Sequence, residues 1–314
     1  MIVVAGEALV DLVPDPDGRL RALPGGSPFN VAIGLGRLGV DTALLGALSD
    51  DAFGALLARR LDETGVRVRP TERTSRPTTL AMVHLDEAGH ASYGFYLDGT
   101  SATGLHHDDV VRANAEESAL ATAPMHVSLG AVTLASDGTG TTLAELIGDA
   151  PSRPFVSIDP NVRPAVITDM AAERAAIERA VAAADLVKAS DEDLAALLPG
   201  RDPLAVAGEW ARSGPALVVV TRGRDGATVV RAEGGTLTVA SLPVSVVDTV
   251  GAGDAFTSGL LTALDERALL DRNALREADA ATLREVLGFA SRVAAVTCTR
   301  RGAEPPTRHE LAAA

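Results

Sequence analysis

The chain is short of cysteine, lysine, aromatic residues and positive charge, and each shortage excludes something. Its one cysteine, Cys298, excludes an internal disulfide and fits a reducing cytoplasm. It lies among small residues in "AAVTCTRRGA", where a small buried side chain is the expected role. Lysine occurs once, at Lys188, so the Gly-Lys-Ser/Thr of a Walker-type phosphate loop is missing. Aromatics are 3% of the chain, which leaves the packing to Ala, Val and Leu. The net charge of −14 argues against a nucleic-acid surface, which needs clustered positive charge. It does not bear on small anionic ligands, which need only a local positive site. No apolar run is long enough to cross a membrane. The opening "MIVVAGEALVDLVPD" lacks a basic lead and reaches an acid at Glu7, unlike a secretory signal. The expected location is the cytoplasm, without membrane or nucleic-acid partners.

What is present is a mixed α/β pattern. With 314 residues, 46% of them hydrophobic, the chain allows one large domain or two smaller ones. "IVVAG" (2–6) reads as a buried strand. "SPFNVAIGLGRLG" (27–39) reads as a helix with Ser27 as N-cap, Pro28 in its first turn and Gly39 past its end. Its small residues Ala32, Gly34 and Gly36 are expected to pack closely on a sheet. "TALLGAL" (42–48) is the next strand, and 50–66 an amphipathic helix. This alternation predicts a mainly parallel sheet covered by helices. Two stretches break the rhythm. Residues 11–23 hold a "DPDG" turn between strand-like pieces, and 78–99 alternate around "DEAGH" as a hairpin. They predict a small flanking β-lid from segments 10–26 and 76–100, attached to a single domain spanning 1–314. An exposed apolar lid face would favour a homodimer in which two lids cover each other.

The stretch "VVDTVGAGDAFTSGLL" (246–261) carries the strongest chemical signal. An apolar run stops at Asp248, three small residues follow, and Asp254 stands at the mouth of a helix. First-turn N–H groups lack internal partners, and the dipole there is positive. Glycines let a ligand approach that backbone, so the loop suits an anion such as a phosphate. A carboxylate beside an anion site is suited to taking a proton from an attacking hydroxyl. The alternative is an aspartate that only complements the helix end.

In an open parallel sheet, ligands bind beyond the carboxyl ends of the strands. Those ends carry Glu7 and Asp11, "PGGSPFN", "DPNVR", "KASDED", "TRGRDG" and "DTVGAGD". Carboxylates and amides suit sugar hydroxyls. Arginine, lysine and glycine turns suit phosphates.

"GGSPFNVAIGLGRLG" and "DTVGAGDAFTSGLL" resemble the two signatures of the ribokinase-like (PfkB) carbohydrate kinases, in the family's order. "GEALVDLVP", "PGGSPFNVA", "FYLDGTSA" and "DPNVRP" look most like its fructokinase branch. The resemblance implies a ribokinase-like three-layer α/β/α fold and transfer of the ATP γ-phosphoryl group to a sugar hydroxyl, with D-fructose as the leading substrate. Asp254 corresponds to the catalytic base, and Gly251, Ala252 and Gly253 to the anion hole. Asp11, Gly25, Gly26, Asn30 and Arg163 fall at the family's substrate positions. Lys188, Thr221, Gly223 and Gly226 fall on the nucleotide side. Asp248 and the carbonyl of Val250 match a monovalent-cation loop, so K⁺ is expected beside ATP and Mg²⁺. Many members carry Asn-x-x-Glu to organise Mg²⁺ through water. Here the segment gives Ser190 and Asp193, one methylene short, and an acidic capped helix start explains it as well. The rival readings are a kinase for ribose or 2-keto-3-deoxygluconate, and a sugar- or nucleotide-binding protein without turnover.

Overall fold

The computed structural model describes residues 1–15, 17–85, 91–130, 139–148 and 153–313. The main sheet has nine strands: β1 (Ile2–Ala5), β4 (Thr42–Leu45), β5 (Arg67–Arg69), β8 (Met125–Ser128), β9 (Val156–Asp159), β10 (Leu186–Ser190), β11 (Leu217–Thr221), β12 (Ala227–Val230) and β13 (Thr236–Val239). Their order is β13-β12-β11-β10-β9-β8-β1-β4-β5. In the order from β5 to β11 every pairing is parallel; the β11–β12 and β12–β13 pairings are antiparallel, so β12 alone runs against the other strands.

Side chains alternate between the two faces of each strand. Ile2 and Val4 join one hydrophobic core, Val3 and Ala5 the other. The first core is closed by the helices Ser27–Arg37, Ala52–Asp62, Ala252–Asp265 and Ala280–Cys298. The second is closed by His107–Glu116, Thr139–Ile147, Met170–Ala183, Asp191–Leu197 and Pro203–Ser213. The result is the expected three-layer α/β/α architecture. Cys298 is half-buried rather than buried, because it ends its helix instead of facing the core.

A second sheet of four strands has the order β3-β2-β6-β7, from β2 (Leu9–Pro14), β3 (Leu20–Gly25), β6 (Thr79–Leu85) and β7 (Ala91–Tyr96). The "DEAGH" turn lies outside the described residues. On the edge strands Leu20 and Tyr96 are exposed. β2 follows closely on β1, and β3 leads through Gly26 into the Ser27–Arg37 helix. The small sheet is thereby continuous with the elements that carry Asp11 and Asn30.

Two local expectations are corrected. Gly26, not Ser27, is the N-cap of the first helix, and no side chain caps it. Ser27 lies inside the first turn, where its hydroxyl bonds another element. Ala32 joins the sheet-facing core, but Gly34 and Gly36 answer to other elements. A Cβ on Gly34 would overlap Ser258 of the Ala252–Asp265 helix, and one on Gly36 would overlap the Thr64 backbone. Glycine here sets a close helix–helix approach, which brings the two signature segments together.

Candidate active site

Asp254 sits in the first turn of the Ala252–Asp265 helix, whose N-cap is Gly251. Gly251 has φ 74°, a left-handed conformation that side-chain-bearing residues rarely adopt, and a Cβ there would overlap Ala303. The turn is therefore both tight and held against a second segment. Ala252 N–H donates to the Thr249 carbonyl at 3.1 Å, and Ala255 N–H to Gly251 at 2.8 Å. The N–H groups of Gly251, Gly253 and Asp254 have no partner among the described residues. They are the helix-end donors available to an anion. Of the expected anion-hole residues, Ala252 is the one whose N–H is already engaged.

The Asp254 carboxylate is pinned from two sides. Ser27 Oγ donates to Oδ1 at 2.7 Å, and Asn30 Nδ2 donates to Oδ2 at 2.9 Å. The two signatures thus meet on one carboxylate, 227 and 224 residues apart in sequence. Burial lifts the Asp254 carboxyl above the usual aspartate range. The hydrogen bonds from Asn30 and Ser27 and the Lys188 charge pull against it, and Asp159 adds to the rise.

Asp11, on β2, faces the same space. Its pKa is pushed up to about 6, by burial first and by the Asp254 charge second. A Cβ on Gly25 would overlap Asp11 Oδ2, so glycine is what leaves room for that carboxylate. Asp11, Gly25, Asn30 and Asp254 form one polar wall where the lid strands meet the first helix.

Behind the wall, Lys188 Nζ is paired with Asp159 Oδ2 at 2.8 Å, and both side chains are 4% exposed. A Cβ on Gly253 would stand 3.1 Å from Lys188 Nζ, so the ammonium lies directly behind the Gly251–Gly253 turn. Burial alone would lower the Lys188 pKa. The Asp159, Asp193 and Asp254 carboxylates outweigh it and hold the group above the ordinary lysine range.

Asp193 uses both oxygens on backbone and side-chain donors. Oδ1 accepts from Val162 N–H at 2.8 Å, and Oδ2 from Ser190 N–H at 3.0 Å and Ser190 Oγ at 2.6 Å. This is a reciprocal cap at the start of the Asp191–Leu197 helix. It ties that helix to the loop leading to Arg163. Arg163 itself is exposed and donates to the neighbouring Val162 carbonyl. Thr221 ends β11, opposite Ser190 in register. Beyond it Gly223–Asp225 form one 3₁₀ turn, closed by Gly226 at φ 84°. None of Arg163, Thr221, Gly223 or Gly226 is hydrogen-bonded to Asp254 among the described residues; they flank it along the strand ends. In the preceding loop Asp248 Oδ1 accepts from Val250 N–H at 3.0 Å and Oδ2 from Gly302 N–H at 2.8 Å. Among the described residues no group of three acidic, histidine or cysteine side chains is placed to hold a metal ion. No described helix is long and apolar enough to cross a membrane.

The sequence reading named Lys188 but missed the polar stripe to which it belongs, on one face of the sheet. His126, Ser128, Ser157, Asp159 and Lys188 occupy the core-facing positions of β8, β9 and β10 on the side of the first helix, and all are buried. His126 Nδ1 lies 3.1 Å from Ser157 Oγ, and its pKa falls to about 3 through burial and then the Lys188 charge. The signal was present as polar letters at alternate positions in "MHVS", "VSID" and "LVKAS".

Comparison with known proteins agrees with this architecture. The model of the pfkB family carbohydrate kinases matches residues 1–310. A fructokinase of Rhizobium leguminosarum bv. trifolii is 37% identical over 90% of this chain and 86% of its own. The Escherichia coli fructokinase is 33% identical over 98% and 97%. Among solved structures, the Xylella fastidiosa fructokinase with bound ATP superposes with a TM-score of 0.88 at 27% identity, covering 99% of this chain and 97% of that one. A double mutant of the Vibrio cholerae O395 fructokinase, in fructose, ADP and potassium ion bound form, superposes with a TM-score of 0.80 at 28% identity over 99% and 97%. The chain belongs to the pfkB family of carbohydrate kinases. It is a phosphotransferase acting on a sugar hydroxyl.

Proposed function

We propose that this protein is an ATP-dependent fructokinase in which Asp254 is the general base. The observation that carries the reading is the carboxylate of Asp254, held by Ser27 and Asn30 beside the unpartnered N–H groups of a helix end. A sugar hydroxyl presented between Asp254 and Asp11 loses its proton to Asp254 as its oxygen attacks the γ-phosphorus of ATP. The bond to the β-γ bridging oxygen breaks, and ADP leaves. The Gly253 and Asp254 N–H groups, backed by the Lys188 ammonium, stabilise charge on the transferred phosphoryl group. Asp11 and Asn30 bind the sugar's other hydroxyls: an ionised carboxylate accepts from two, and an amide both donates and accepts. Thr221, Gly223 and Gly226 cradle the nucleotide phosphates, and Arg163 reaches the substrate from the outer rim. The exposed Leu242, Val244, Val246 and Val247, in the segment that follows β13, suit the flat apolar face of the base.

Bound with the nucleotide, Mg²⁺ would supply neutralisation of the phosphate charge. It prefers oxygen ligands and retains several waters, so few protein ligands are expected. Asp193 reaches it through water at most, since both its oxygens already accept hydrogen bonds. Asp248 and the Val250 carbonyl, an all-oxygen donor set, would hold K⁺, which would order the adjacent turn. The small sheet covers the sugar and pairs with that of a second copy through the face bearing Leu20 and Tyr96.

The choice of fructose is supported by the fructokinase relatives. The test is ADP release with D-fructose, ribose, 2-keto-3-deoxygluconate and adenosine at equal concentration. The highest kcat/KM is expected for fructose. Preference for another of the four would replace the substrate and leave the kinase reading standing, and release with none would favour a binding protein.

A further inference from the structure

Three polar side chains stand in single file behind the base. Asn161 Nδ2 donates to Ser128 Oγ at 3.2 Å, Ser128 Oγ to Ser27 Oγ at 3.1 Å, and Ser27 Oγ to Asp254 Oδ1 at 2.7 Å. The direction of this chain is forced. A hydroxyl has one proton to give. An ionised carboxylate only accepts, so Ser27 spends its proton on Asp254. Ser128 must then donate to Ser27, and it accepts from the Asn161 amide. Every donor points at the carboxylate. Ser128 is completely buried at the end of β8, and Ser27 is buried. The far end is fixed as well. Asn161 has φ 43°, unusual outside glycine, and its N–H is held by Asp159 Oδ1 at 3.1 Å.

We propose that Ser27, Ser128 and Asn161 are positioning residues that fix the orientation of the Asp254 carboxylate and hold it ionised at the working pH. The proposal rests on the reading of Asp254 as general base. Charge-assisted hydrogen bonds are the strong ones, and a chain with all its dipoles aligned polarises each member further. The other charges around Asp254 act in both senses: Asp11 on β2 and Asp159 on β9 oppose its ionisation, while Lys188 on β10 favours it. Of the two direct donors, Asn30 also faces the sugar, so only the Ser27 chain is dedicated to the base.

The test is the pH dependence of kcat in Ser27→Ala, Ser128→Ala, the double variant and Asp254→Asn. In Ser27→Ala the acid limb should move up by about one pH unit, with the sugar KM within about twofold of wild type. Ser128→Ala should move the limb in the same direction by less. Because Ser128 acts through Ser27, the double variant should match Ser27→Ala alone. An unmoved acid limb in both single variants, or additive shifts in the double, would overturn the proposal. Should Ser27→Ala fail to fold, the limb of Ser128→Ala decides the matter: unmoved, it overturns the chain. Near wild-type kcat in Asp254→Asn would instead overturn the base assignment, and the proposal with it.

Discussion

Lys188 Nζ and Asp159 Oδ2 meet at 2.8 Å inside the protein, directly behind the turn that carries Asp254. The pair joins β10 to β9 and places the chain's only lysine behind the helix end proposed to receive the phosphoryl group. A buried ion pair gives little net stability over an apolar replacement, but removing one partner strands the other. Lys188→Met should therefore cost about 3–5 kcal/mol in chemical denaturation. Asp159→Asn introduced with it should recover a clear part of that loss. A double variant no more stable than Lys188→Met would mean that the stranded carboxylate is not the cause.

Asp11 links stability to function in opposite senses. Its folded pKa of about 6 lies above the ordinary 3.8, so the folded state holds that proton more tightly than the unfolded chain. The stability this contributes is present below 3.8 and is lost as pH rises through about 6. Asp11→Asn should thus be more stable than wild type by roughly 1–3 kcal/mol at pH 8, and should lose most of that advantage near pH 4. An equal difference at both pH values would sink the argument. The same variant should raise the sugar KM, because a buried acceptor has been lost.

The loop at Asp248 gives an ionic prediction. Its carboxylate already holds the N–H groups of Val250 and Gly302, so it shapes the turn in front of Gly251. Replacing Na⁺ by K⁺ at constant ionic strength should raise kcat, and Asp248→Ala should remove the difference. Identical rates in the two salts would deny the loop a functional cation.

Much of the site was legible because its chemistry sits in contiguous stretches. Asn30 and Asp254 each lie in a segment whose residue pattern is informative by itself. The strand alternation of Ile2, Val3, Val4 and Ala5 already implies two apolar faces. What was not legible depends on contacts between distant elements. Ser27 satisfies every local rule for an N-cap, yet Gly26 takes that place and frees the serine for Asp254. Gly34 and Gly36 read as sheet-packing residues, whereas Ser258 and Thr64 are what require them to be small. His126, Ser128 and Asp159 are single polar letters inside apolar strands. Their meaning appears only when three strands are laid side by side.

The proton of the sugar hydroxyl is proposed to pass to the Asp254 carboxylate. Asp254→Asn retains the shape and the Asn30 and Ser27 neighbours but removes the proton acceptor. Under saturating ATP, Mg²⁺ and D-fructose, formation of the phosphorylated sugar should fall by about 10²–10⁴-fold, while the fructose KM changes little. A variant that phosphorylates fructose at near the wild-type rate would contradict the account.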